Sequence, residues 1–171
     1  MHNKLMVYGC LLGGVVIFVW GAVSHMVIFH EPLKPFPNSP AVMEFVQANA
    51  PVNGEYFDPR GVLMSVSLLP DKGDKSLLMG KYMAVELVSN MIQALLLLYV
   101  LSKAKPAGVF AAGQFAGWLG LLAWLAIVFS YWNWYGFSLT WVALDFVDTV
   151  FGWFLAGLAL GWLMKKWSPA Q

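Results

Sequence analysis

Two carboxylates, Asp145 and Asp148, stand inside an apolar run that extends from Phe137 to Met164. A charge at bilayer depth costs at least ~2.5–3.5 kcal/mol on insertion scales, so acids placed there mark ion, proton or ligand sites. Their i, i+3 spacing puts both on one helical face, shared with Trp141 and Gly152. Other polar residues also interrupt apolar runs. His25 lies in the first, and Glu86, Asn90 and Gln93 form an i, i+4, i+7 stripe in the second.

One imidazole with three carboxylates (His25, Glu86, Asp145 and Asp148) is a ligand set for a transition metal such as Mn²⁺, Fe²⁺ or Zn²⁺. The same groups suit a proton relay. The spacing matches neither His-Glu-x-x-His nor Glu-x-x-His, so two blander expectations stand beside the chemical one. In the first, the acids are paired structurally with His25, Asn90 or Arg60. Arg60 is the chain's only arginine, and its planar fork fits a carboxylate better than lysine does. In the second, the polar groups line a pocket for an apolar or amphipathic ligand. Among weaker candidates, His30 with Glu31 reads as a solvated helix exit and His2 as a terminal residue. Gln114 reads as a helix–helix hydrogen bond, and the rings from Tyr131 to Tyr135 as an interfacial belt.

Depth ties the candidates together. His25 is 21 residues from Lys4, Glu86 is 17 from Lys103, and Asp145 and Asp148 are 20 and 17 from Lys165. At ~1.5 Å per residue, all four lie ~25–32 Å from the lysines at the other end of their helices. The expectation is a polar pocket in one half of a bundle, with the small-residue pairs Gly9/Gly13, Gly113/Gly117 and Gly157/Gly161 sealing the other half.

The elements that must position these residues follow from composition. With 60% hydrophobic and 11% charged residues, the 171-residue chain reads as an all-α integral membrane protein and as one domain. Four runs reach spanning length: 5–29, 78–102, 108–131 and 137–164. The first is 25 residues long, beyond the ~7–15 of a signal-peptide core, and reads as a retained span. Lys4, Lys103, Lys105, Lys165 and Lys166 share one side without acids, which places both termini in the cytoplasm, in the manner of a bacterial inner-membrane protein.

Residues 30–77 then form an extracytoplasmic segment too long for a bare loop. Pro32, Pro35 and Pro37 open it in extended form. Ser39 is expected to cap a short helix that carries Pro40 in its first turn and is stopped by Pro51. Asn53-Gly54 reads as a turn, 55–57 and 62–68 as strands, and 70–75 as a polar turn. A small ordered α/β cap is the result.

Several functions are excluded. Cys10 is alone, which rules out quinone-linked disulfide exchange and leaves it as a packing residue. Only His25 lies inside a span at depth, which rules out bis-His haem. A net charge of +1 gives no footprint for nucleic acid. The composition therefore suggests a small, non-enzymatic accessory or binding subunit of a larger membrane assembly, associating with other subunits or itself through GxxxG faces. The alternative is a metal-dependent membrane enzyme or proton-coupled carrier built on the His/Glu/Asp/Asp cluster.

Overall fold

The computed structural model describes residues 3–28, 36–68 and 75–167, with side chains described from residue 79 onward in the last stretch. The chain is mostly helical, with four helices long and apolar enough to span a membrane and one small two-stranded sheet. Two compact units result: Met1–His30 with Gly80–Gln171, and Glu31–Met79.

In the helical unit, α1 (Asn3–Val23) continues as a π-helical segment, Ser24–Ile28. Next come α3 (Lys75–Ala104), most of which belongs to this unit, and α4 (Val109–Tyr135). The last span is composite, comprising α5 (Leu139–Phe146), a π segment (Val147–Phe151) and α6 (Gly152–Trp167). The third span runs four residues past the expected end at Tyr131, because nothing between Tyr131 and Tyr135 breaks a helix. Gly136 does, taking a left-handed φ of +68° and donating its N–H to the Trp132 carbonyl. Ser138 then starts the last span by accepting the Trp141 N–H at 3.2 Å.

The aromatic residues around this turn pack on one another. Tyr131 packs on Tyr135 and Phe137, and Phe137 on Trp141.

Small residues bring the spans together. A Cβ on Gly157 would lie 2.5 Å from Ala116 Cβ and 2.7 Å from the Ala112 carbonyl oxygen, while one on Gly161 would meet Ala112 Cβ at 2.6 Å. So α4 and α6 touch almost backbone to backbone, antiparallel. On α1, Gly9 faces Leu98, Gly13 faces Ala94, and Gly14 lies on the Met91 backbone, which seats α1 antiparallel on α3. Leu98, Leu101, Ala112, Ala116, Ala156 and Leu160 form the buried centre of this packing. All three GxxxG pairs thus face helices of their own chain.

The second unit holds α2 (Ser39–Asn49) and an antiparallel hairpin of β1 (Gly54–Asp58) with β2 (Val62–Val66). The helix cap is Asn38, one residue before the expected Ser39. Its side-chain oxygen accepts the Ala41 N–H at 3.2 Å, while Ser39 donates to the Phe36 carbonyl. Gly54 is the first residue of β1 and no turn. The neighbouring Asn53 side chain accepts the Leu68 N–H at 2.6 Å, holding the open end of the hairpin. The reversal falls at Asp58-Pro59-Arg60-Gly61, where Gly61 donates to the Asp58 carbonyl and takes φ +101°. Asp at i, Pro at i+1 and Gly at i+3 are what a tight turn of this kind selects. The readings placed on His2, His30, Glu31, Pro32, Pro35 and 70–74 lie outside the described residues.

Candidate functional site: a Ser–His–Asp cluster between two π segments

Both π segments occur where α1 meets the last span. Ser24 opens the first and is fully buried (0% exposed), and Asp148 is the second residue of the other. A π turn carries an extra residue, so it rotates following side chains out of the α-helical phase. Such turns recur at functional sites. Trp20 fixes the meeting point, its indole N–H donating to the Val147 carbonyl at 3.3 Å. Gly152 admits that indole, since a Cβ there would sit 3.0 Å from Trp20 Cδ1.

The Ser24 hydroxyl lies 2.5 Å from Asp148 Oδ1, 3.1 Å from His25 Nδ1 and 3.0 Å from the Gly21 carbonyl. It has one proton to give, and the shortest contact, on a carboxylate, is where charge assistance is greatest. His25 Nδ1 is also 3.0 Å from the Gly21 carbonyl, so a ring protonated at Nδ1 donates there and leaves Nε2 as an acceptor. His25 Nδ1 and Asp148 Oδ1 are 4.0 Å apart, with the His25 side chain 49% and the Asp148 side chain 29% exposed. Asp145 is half-buried in α5, three residues before Asp148. The cluster is rich in acceptors: the Asp148 carboxylate and one imidazole nitrogen, served among the described residues by the Ser24 hydroxyl. It can take a proton, a cation or a hydrogen-bond donor.

The other expected site residues separate from this cluster. Asn90, 3% exposed, and Gln93 belong to a clasp between α3 and α6. Trp153 donates to Gln93 Oε1 at 3.2 Å, and Gln93 Nε2 donates to Asn90 Oδ1 at 3.1 Å and Ser89 Oγ at 3.4 Å. Glu86, at the far end of the same stripe, is exposed. Among the described residues no three His, Cys, Asp or Glu side chains group as metal ligands. The four-ligand metal set of His25, Glu86, Asp145 and Asp148 is corrected accordingly: Glu86 is exposed, and His25, Asp145 and Asp148 do not group as ligands either.

Arg60 is likewise taken up locally. Its Nε and Nη2 donate to the two oxygens of Asp58 at 2.9 and 2.6 Å across the hairpin turn, which corrects the expectation that it answers a carboxylate of the spans. Gln114 is exposed, and among the described residues no hydrogen bond joins it to another helix. Cys10 packs as expected, its Sγ on the Met91 carbonyl at 3.2 Å.

Sequence reasoning passed over Ser24, Trp20 and Trp153. Ser24 had a signal, being a hydroxyl directly beside the only histidine deep in a span. The two tryptophans had none beyond their indole N–H, which seeks an acceptor when buried.

Fold and site together define a four-helix bundle of membrane-spanning composition with a Ser–His–Asp cluster between its first and last spans. Comparison with protein-family models, curated proteins and solved structures gives no match, so the functional reading stands on these residues themselves.

Proposed function

We propose that this chain is a small integral membrane binding protein, with both termini cytoplasmic, that holds a cationic or proton-donating group at Ser24, His25 and Asp148. The observation that carries this reading is the buried Ser24 hydroxyl, set between His25 Nδ1 and Asp148 Oδ1. A cluster with one internal donor and several acceptors is completed by a ligand that brings donors. An intramembrane acid without enough donors is otherwise costly. A role as an accessory subunit of a larger membrane assembly is compatible with this reading.

The test is a titration of ¹⁵N-histidine-labelled protein, in an uncharged maltoside, with ethylammonium chloride. A saturable shift of the His25 ring resonances is expected, abolished by Asp148→Asn and retained in Glu86→Gln. A linear, non-saturating response, or one indifferent to Asp148→Asn, overturns the reading. A second reading, proton-coupled transport, is favoured by the same hydroxyl bridge, since Ser24 links two proton-exchanging groups. It requires that proteoliposomes dissipate an imposed pH gradient and that Asp148→Asn stop them.

A further inference from the structure

A groove of about 600 Å³ runs between α1 and α6, lined by Val15, Val19, Trp20 and Val23 on one side and Leu155 and Ala159 on the other. Its lining is wholly apolar, and its volume is in the range of small-molecule sites, ~300–1,000 Å³. Three facts connect it to the cluster. Trp20 lines the groove and also donates to the carbonyl of Val147, the residue before Asp148. Val23 ends the lining, and Ser24 and His25 follow it directly. Leu155 lies on α6 two turns beyond Asp148, on the side away from Asp145.

From Val15 to Val23 the helix rises ~12 Å, close to half of a ~30 Å hydrocarbon layer. The polar cluster therefore crowns an apolar channel that is one leaflet deep.

We propose that the ligand of this site is a membrane lipid with a primary ammonium headgroup, its ammonium at Asp148 and His25 and one acyl chain along the α1–α6 groove. This rests on the binding role proposed above and names the ligand class. Charge complementarity selects the headgroup. Asp148 supplies a carboxylate and His25 an imidazole nitrogen beside it, so an ammonium with three N–H donors matches the acceptors, whereas an anionic headgroup without an amine meets like charge at Asp148. Length selects the tail, because a chain that follows the groove from the cluster stays within the leaflet from which its headgroup comes.

Native mass spectrometry of the full chain, released from micelles containing equal phosphatidylethanolamine and phosphatidylglycerol of identical chains, tests this. Ethanolamine lipid is expected to be retained in roughly tenfold preference, the ratio that about 1.4 kcal/mol confers. Asp148→Asn is expected to remove the preference. Val19→Trp, which fills the groove, is expected to remove the adduct while the ethylammonium response of His25 persists. Val19→Phe provides the milder version if the tryptophan variant misfolds. Equal retention of both lipids overturns the proposal, as does an adduct indifferent to both Val19 variants. Failure of the underlying site is separately visible, as loss of the ethylammonium response in the unaltered chain.

Discussion

Ser24 carries more of the site than its size suggests. Its hydroxyl is fully buried and donates to Asp148. Ser24→Ala removes that donor and leaves a half-buried carboxylate to find another. The expected loss is about 1 kcal/mol, within what single hydrogen bonds contribute in membrane helices. Unfolding by titrated SDS would show it, and an unchanged midpoint would mean that water replaces the hydroxyl without loss. Asp58 offers a residue-scale test outside the spans. The Arg60 guanidinium, and then the Arg60 backbone N–H, hold its carboxyl below the usual carboxylate range. A lowered carboxylate pKa stabilises the folded hairpin fully above the unfolded value, ~3.9, and that contribution disappears as pH falls through the folded value. Both groups are exposed, so salt should weaken the effect. A carboxyl ¹³C titration should show the Asp58 midpoint rising toward its ordinary value in Arg60→Gln; an unmoved midpoint would contradict the pairing. Asp148 and His25 were legible in the sequence because charge and imidazole stand out in an apolar run. Ser24 was legible only as the hydroxyl beside that imidazole, because a serine in a span is common and its burial shows only in the fold.

Glycine spacing decides packing at the scale of elements. Gly157 and Gly117 lie on facing helices with opposite expected outcomes. A methyl at Gly157 would press on Ala116 Cβ, the Ala112 carbonyl and Gly113 Cα, two of them backbone, so Gly157→Ala should cost about 1–3 kcal/mol. At Gly117 the nearest atom is Phe154 Cβ at 3.5 Å, an ordinary contact. There alanine should stabilise by about 0.5–1 kcal/mol through lower backbone entropy in the unfolded chain. Paired SDS unfolding curves would separate the two, and equal shifts of one sign would contradict the α4–α6 approach. A double-mutant cycle of Trp153→Phe and Gln93→Leu should give a coupling of about 0.6 kcal/mol, the mean for membrane hydrogen bonds; none would dissolve the α3–α6 clasp. The number and approximate limits of the spans were legible from apolar run length. The two π segments were not. An inserted residue leaves no mark on hydropathy, and it shifts the phase on which a one-face reading of the last span depends. The hairpin turn was legible in Asp58-Pro59-Arg60-Gly61, yet Asn53-Gly54 drew the reading by its pair preference alone.

For the whole molecule, four apolar helices and the lysine distribution lead to the proposed topology. In a Cys10→Ala background, a membrane-impermeant thiol reagent should label Arg60→Cys in intact cells and Lys105→Cys only after permeabilisation. The reverse pattern would invert the orientation and place the cluster in the other leaflet. The joining of the first and last spans was half legible. Counting residues from the terminal lysines set His25 and the aspartates at one depth. It set Glu86 there as well, because depth does not say which way a side chain faces. Glu86 also supplies the control for the direct measurement of the central claim, that Ser24, His25 and Asp148 form one site. That measurement is the ¹⁵N spectrum of the His25 ring in the full chain, recorded for Asp148→Asn and Glu86→Gln beside the unaltered protein. The account predicts displaced His25 ring resonances in Asp148→Asn and coincident ones in Glu86→Gln. Ring resonances unmoved by Asp148→Asn, or moved equally by both, would contradict it.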